Sequence, residues 1–419
     1  MVEKPYQWAS GATLEEHSKR KHAILRQYFS RYLTVRCQLP QQTRFRLAIV
    51  EGFAGAGRYK CGAAGSPVIF IEELRKTCEA ANLKRAAEGF APLDLECLLI
   101  FNDADPETVE ILKANLQPLL AAVTAEVPRL HLRVEFSSKP FEEAYPEIKQ
   151  RLLGARYRNV VFNLDQCGHK HVERKTLVDI MRSWPSAEIF YTFAIESLLT
   201  YLSQTAPQVV QKQLSYLGLP AGGFDALDGL MNKDMWLGAA ERMVFEAFCD
   251  CAPFVSPFSI NNPEGWRYWL IHFANSYRAR QEYNDILHLN SSSQAHFGRS
   301  GLNMLAYDPT HEGALYLFDV SGRNNARDQL AEDIPRLVSE FGDAIILSDF
   351  YESIYNMTPA HMDDIHGVMI ENPDLEVLTG EGGERRRPGT IVASDILRMK
   401  QQRSFFPMFF GVQKPPTKE

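Results

Sequence analysis

An apolar run that stops at an acid and opens into a glycine-rich turn constrains this chain more than any other feature. Leu47-Ala48-Ile49-Val50 ends at Glu51, and Gly52-Phe53-Ala54-Gly55-Ala56-Gly57-Arg58-Tyr59 follows. A short continuous apolar run bounded by turn residues reads as a buried strand. Glycines in the turn allow positive φ and close approach of backbone to a ligand. In open α/β sheets, ligands bind at the carboxyl ends of parallel strands. The turn is therefore a nucleotide-site candidate; the plain alternative is a strand-to-helix turn that binds nothing. The spacing is not G-x-G-x-x-G and no Gly-Lys-Ser/Thr follows, so neither the dinucleotide fingerprint nor the P-loop is met.

The pattern around this turn predicts alternating strands and helices. Residues 14–33 read as an amphipathic helix, with Ile24, Leu25, Tyr28, Phe29, Tyr32 and Leu33 on one face and Lys19, Arg20, Lys21, Arg26 and Arg31 on the other. Those cations fit a solvated face or a substrate-facing one. Ser66-Pro67 suits a helix start, running to about residue 82. Further strands are expected at 95–101, 130–136, 159–164 and 187–193, with helices from Asp105-Pro106 and near 141–153. This order implies βαβ units and a Rossmann-like doubly wound sheet. A helical insertion is expected near 200–260, then strands at 269–273 and 314–318 around a helix at 276–289. Past residue 325 the order becomes helix 328–341, helix 348–356, helix 358–371, strand 374–378, a polar tip at 381–389 and a returning strand at 390–392. That describes a winged helix-turn-helix. Two units follow, 1–325 and 326–419.

The chain has 419 residues and a formal net charge of −7. It is no basic nucleic-acid coat, so contact with a polyanion would use local patches. Its seven cysteines are scattered without a C-x-x-C pair, which fits a reduced, cytoplasmic protein and no metal site. No run of about 18 apolar residues predicts a membrane span.

Three further places bear on chemistry. Asp103 ends the second strand, where an acid can accept hydrogen bonds from ribose hydroxyls. It lies much farther from the glycine turn than the about 20 residues of a dinucleotide fold, which argues against an NAD-dependent enzyme. The fourth strand runs into Asp165-Gln166-Cys167-Gly168-His169-Lys170-His171. Asp165 and Gln166 are the candidates to face an acceptor, while Cys167 with His169 as a nucleophilic pair, or His169 with His171 as metal ligands, read as coincidence. Arg385, Arg386 and Arg387 sit at the polar tip and suit phosphate contact, blunted by Glu381 and Glu384. The aromatic cluster at 405–410 reads as a tail packed on the core.

The acid followed by F-A-G-A-G resembles the S-adenosylmethionine loop of class I methyltransferases. Together with Lys21-His22, Ile24-Leu25 and Tyr28, Arg58-Tyr59, Gly65-Ser66-Pro67, Phe101 to Pro106 and Phe162 to Gly168, it resembles the three-Cys-motif partner proteins over about residues 17–200. These are bacterial methyltransferase-like proteins encoded beside a radical-enzyme-like protein. The resemblance implies a class I methyltransferase fold and S-adenosylmethionine as cofactor. It implies Glu51 near the methionine end, Gly52, Phe53, Ala54, Gly55 and Gly57 along the cofactor, and Asp103 on the ribose. A nucleic-acid acceptor and the three-Cys-motif protein are the expected partners. The family pattern at the fourth strand resembles Asp-Pro-Phe-Gly; here Gln166 and Cys167 replace Pro and Phe. A non-catalytic nucleic-acid-binding protein with a degenerate pocket is therefore the competing expectation.

Overall fold

The strand that precedes the glycine turn lies at the centre of the molecule. In a computed structural model that describes residues 8–195, 217, 244–256, 259–261, 267–290, 294–297, 315–317 and 320–400, β1 spans Arg44–Glu51. It pairs in parallel with β2 (Asp94–Asn102) on one side and β4 (Asn159–Leu164) on the other; Ile49 stands opposite both Leu99 and Val161. β3 (Leu130–Ser137) and β5 (Ser186–Phe193) extend the parallel set outward. Side chains alternate between faces, as a strand requires. Leu47 and Ile49 meet α1 (Glu16–Cys37), α2 (Ser66–Glu88) and α3 (Pro106–Glu126), whereas Ala48 and Val50 meet α4 (Phe141–Gly154) and α5 (Arg174–Ser183).

The expected βαβ order is thus present, with differences of detail. Ser66 is the first residue of α2 rather than its cap, and its hydroxyl serves Glu51 instead. α2 runs on to Glu88, because its stop is Gly89 in the left-handed region. Asp105 caps α3 by accepting from the Glu107 and Thr108 amides. α5 lacked any sequence-based expectation.

Beyond β5 the sheet changes direction. β8 (Arg267–Ala274) is antiparallel to β5, and β6 (Phe254–Ser256) and β7 (Ser259–Asn261) lie along its other edge. β9 (Gln294–Phe297) and β10 (Leu315–Leu317) complete the order β10-β9-β7-β8-β5-β4-β1-β2-β3. α6 (Tyr277–Leu289) packs beside α1. The molecule is a mixed α/β protein built on a mostly parallel central sheet. Most of the insertion expected near 200–260, and the tail cluster at 405–410, lie outside the described residues. No helix among the described residues is long and apolar enough to cross a membrane.

The C-terminal part contains α7 (Val320–Glu340), β11 (Ala344–Ile346), α8 (Leu347–Ile354), α9 (Met362–Glu371), β12 (Leu375–Leu378) and β13 (Ile396–Met399). Its antiparallel sheet has the order β11-β13-β12. The expected boundary at 325/326 falls inside α7. α9 begins at Met362, not at Thr358-Pro359, because the preceding carbonyls are used elsewhere: Thr358 O and Ala360 O accept from Asn284, and His361 caps the helix through its ring. The returning strand is β13, not 390–392 as expected; Thr390 instead ends a 3-10 turn, Pro388–Thr390. Buried Arg280 on α6 donates to Val255 O and Thr358 O, and Gln281 to the Tyr355 hydroxyl. The C-terminal part is therefore joined to the α/β part by buried polar contacts.

Candidate functional site

β1 and β4 are neighbours whose connections leave in opposite directions, which opens a crevice at their carboxyl ends. Glu51 closes β1 there and is fully buried. Asn163, one residue from the end of β4, donates its amide to both carboxylate oxygens of Glu51 at 2.9 Å. Burial pushes the Glu51 carboxyl well above its ordinary pKa; the Asn163 and Ser66 hydrogen bonds only partly offset this.

The glycine turn is tied down by backbone contacts on every side. Gly52 N–H donates to Asn163 O (2.9 Å), Ala54 N–H to Asn102 O (2.8 Å), and Gly65 N–H to Gly57 O (2.8 Å). Asn115 on α3 donates to Ala56 O at 2.8 Å. Gly55 and Gly57 have φ of +55° and +75°, a region that L side chains rarely adopt. A Cβ on Gly55 would meet the Trp8 indole, and one on Gly57 would meet Leu112. Phe53 leans on the rings of Phe141 and His171. Asp103 reaches this turn directly: its Oδ2 accepts from Gly55 N–H at 2.9 Å and its Oδ1 from Asp105 N–H at 3.1 Å. Burial raises its pKa against those two bonds.

A charged cluster from three elements sits over the end of β4. Lys21 Nζ on α1 contacts Asp165 Oδ1 at 2.5 Å. Burial alone would raise the Asp165 pKa, but the ammonium and a Thr192 hydrogen bond outweigh it and hold the carboxyl below its ordinary value. His17 stacks on Tyr268 with ring centroids 4.5 Å apart. Burial, then Lys21, pushes His17 down to about 4, and burial does the same to His22. Beneath the cluster, a cavity of about 10 Å³ lined by Lys21, His22, Asn163, Asp165 and Thr192 has room for about one water molecule.

The sequence candidates divide accordingly. Glu51, Gly52, Phe53, Ala54, Gly55, Gly57, Asp103 and Asp165 gather around the crevice. Gln166 is buried beside it with both ends of its amide engaged, donating to the Tyr191 hydroxyl (2.7 Å) and accepting from His171 N–H (2.8 Å). Lys21, His17 and Thr192 were not assigned from the sequence. The Lys21-His22 pair within the resemblance was the available signal; nothing marked Thr192. Far from this site, Arg385 pairs with buried Asp395 at 2.9 and 3.1 Å, while Arg386 and Arg387 are exposed. α9, the second helix of the expected helix-turn-helix, is buried from Asp364 to Met369 and carries Asp363, Asp364 and Glu371.

Among the described residues, no group of three or more His, Cys, Asp or Glu side chains could hold a metal ion. The chain matches no protein-family model and no curated protein.

Proposed function

We propose that the chain is an S-adenosylmethionine-dependent, methyltransferase-like protein of class I type acting on nucleic acid. The observation that carries this reading is the convergence of Glu51, Asp103 and the Gly52–Gly57 turn at the β1–β4 crevice. The residues fit the cofactor in kind. Two carboxyls at the ends of adjacent strands suit an ammonium and a ribose, and Gly55 and Gly57 let the turn take positive φ. When bound, the cofactor supplies an electrophilic methyl group on a sulfonium. The chain's own task is alignment and exclusion of water. Asp103 holds Gly55 N–H and keeps lone pairs for the ribose. Asp165, kept ionised by Lys21, would accept a hydrogen bond from an acceptor N–H.

The helix, strand, two helices and hairpin of the C-terminal part support its reading as a winged helix. With α9 buried and acidic, phosphate contact falls to Arg386 and Arg387 rather than to a helix in a groove. A three-Cys-motif partner follows from the resemblance alone. The second reading, a non-catalytic binder with a degenerate pocket, is favoured by two specific contacts: the Lys21–Asp165 pair that narrows the crevice, and the Gln166 amide spent on Tyr191 and His171.

Calorimetric titration with S-adenosylmethionine and its demethylated product tests the cofactor. The wild type should bind both. Asp103→Ala should weaken binding by about one to two decades, the worth of hydrogen bonds to a charged group. Gly55→Val, checked for folding, should abolish it. Absence of binding by the wild type rejects the proposal. Binding without transfer of labelled methyl to RNA or DNA selects the second reading.

A further inference from the structure

A second cavity lies at the opposite ends of the same strands. It has a volume of about 640 Å³, within the roughly 300–1,000 Å³ of small-molecule sites, and is walled by the starts of β1, β4 and β5, the second half of α1 and the first turns of α6. Glu188 on β5 is its deepest acid and only 3% exposed. Its contacts are the Tyr28 hydroxyl, which donates at 2.7 Å, and His272 Nε2 at 3.3 Å. Burial lowers the His272 pKa, so at neutral pH that ring is uncharged. Glu282, in the same wall, differs: it pairs with both Arg31 and Arg278 at 2.6 Å. Among the described residues Glu188 has no cation beside it. A buried carboxylate with two neutral partners is an arrangement that an incoming donor group would complete.

The mouth carries the opposite charge. The Arg36 guanidinium lies over the Tyr32 ring, 5.4 Å from its centroid, and pairs with no carboxylate among the described residues. Tyr28 and Arg36 are two turns apart on α1, about 12 Å along the helix. An α-amino acid bears its two charges on one carbon and is too short for both poles. A nucleotide is long enough, and its base would have the Tyr28 and Tyr32 rings beside it. Of the bases, guanine presents two parallel N–H donors to one carboxylate, and a guanidinium suits phosphate.

We propose that this cavity is a guanine-mononucleotide site, with the base edge on Glu188 and the phosphate on Arg36. It does not rest on the cofactor reading, since Glu51 and Asp165 lie at the other ends of the strands.

The test is calorimetry on the full chain with GMP, AMP and guanosine. GMP should bind saturably, AMP at least about tenfold more weakly for want of the second donor, and guanosine more weakly than GMP. Arg36→Ala should reduce GMP affinity to that of guanosine and leave guanosine unchanged. Glu188→Gln, if its melting temperature is preserved, should lose GMP by at least about tenfold. No saturable binding by the wild type, or equal affinity for AMP and GMP, overturns the proposal. So does GMP binding that Gly55→Val removes and Arg36→Ala spares, which would put the nucleotide in the β1–β4 crevice.

Discussion

Lys21 and Asp165 are 144 residues apart in sequence and in contact at 2.5 Å, so α1 supplies the counter-charge for the end of β4. Asp165 stays ionised in a recessed place because of a residue that precedes the sheet entirely.

Replacing Lys21 by Met should therefore cost about 2–3 kcal/mol at pH 7, somewhat less than the ~3–5 of a fully buried pair because Asp165 keeps some solvent contact. The cost should depend on pH. In the wild type the folded-state pKa of Asp165 is depressed, so the pair's contribution is present above about pH 4 and is lost as pH falls through the depressed value. In the variant burial is opposed by the Thr192 hydrogen bond but no longer by the ammonium, so the depression shrinks and with it the stability gained above about pH 4. Urea unfolding at pH 4 and pH 7 should give a wider gap at pH 7; equal gaps would show that the pair is not coupled in this way.

Glu51 has the opposite sign. Its folded-state pKa is raised by burial, so its contribution is fully present below the ordinary glutamate value and is lost as pH rises toward the raised one. Glu51→Gln removes that loss. The variant's stability relative to wild type should increase from pH 4.5 to pH 8, on the order of 1 kcal/mol or more. A pH-independent difference in melting temperature would contradict the assignment.

His17, held down to about 4 by burial and Lys21, must gain a proton to charge in the folded state. Its depressed pKa makes stability fall as pH drops from 6.5 toward 4. His17→Gln should flatten that part of the stability profile by about 1–3 kcal/mol. Retention of the full acid loss in the variant would assign it to other groups.

The three adjacent arginines should behave differently from one another. Arg385→Ala leaves the buried Asp395 carboxylate with only the Val392 amide, and should cost about 2–3 kcal/mol. Arg386 and Arg387, both exposed, should each change stability by no more than about 0.5 kcal/mol when truncated. If they touch phosphates, the double variant should bind nucleic acid with a log–log salt slope shallower by up to ~2. An unchanged slope would remove this loop from the interface.

Much of the scaffold was legible because its strands are buried on both faces. Leu47 to Val50, Leu98 to Phe101 and Val160 to Phe162 are continuous apolar runs, and Asp105 and Pro106 announce α3. α5 was missed although Leu177, Val178, Ile180 and Met181 recur at helical spacing, because the segment is short and follows the largely polar run His169 to Glu173. The start of α9 was misplaced because Thr358-Pro359 has the composition of a cap, while Asn284, 74 residues away, takes the Thr358 carbonyl. The site divides on the same line. Gly55 and Asp103 could be proposed from neighbours in sequence. Lys21 could not, since one helical face shows its cations alike until the sheet it packs against is known. Gln166 looked available in sequence and is spent on Tyr191 and His171 in space.

The contacts of α6 with the C-terminal part bear on how portable that part is. A shortened chain ending at residue 325 would remove the Thr358 carbonyl from Arg280, both acceptors from Asn284 and the Tyr355 hydroxyl from Gln281. It would also leave Phe254 and Ala274 without the Leu330 and Ile334 side chains they pack with. The piece that could be transplanted into another protein is therefore not 326–419. It begins upstream, with α6, and a graft lacking that helix would arrive with the Thr358 and Ala360 carbonyls and the Tyr355 hydroxyl stripped of their buried partners.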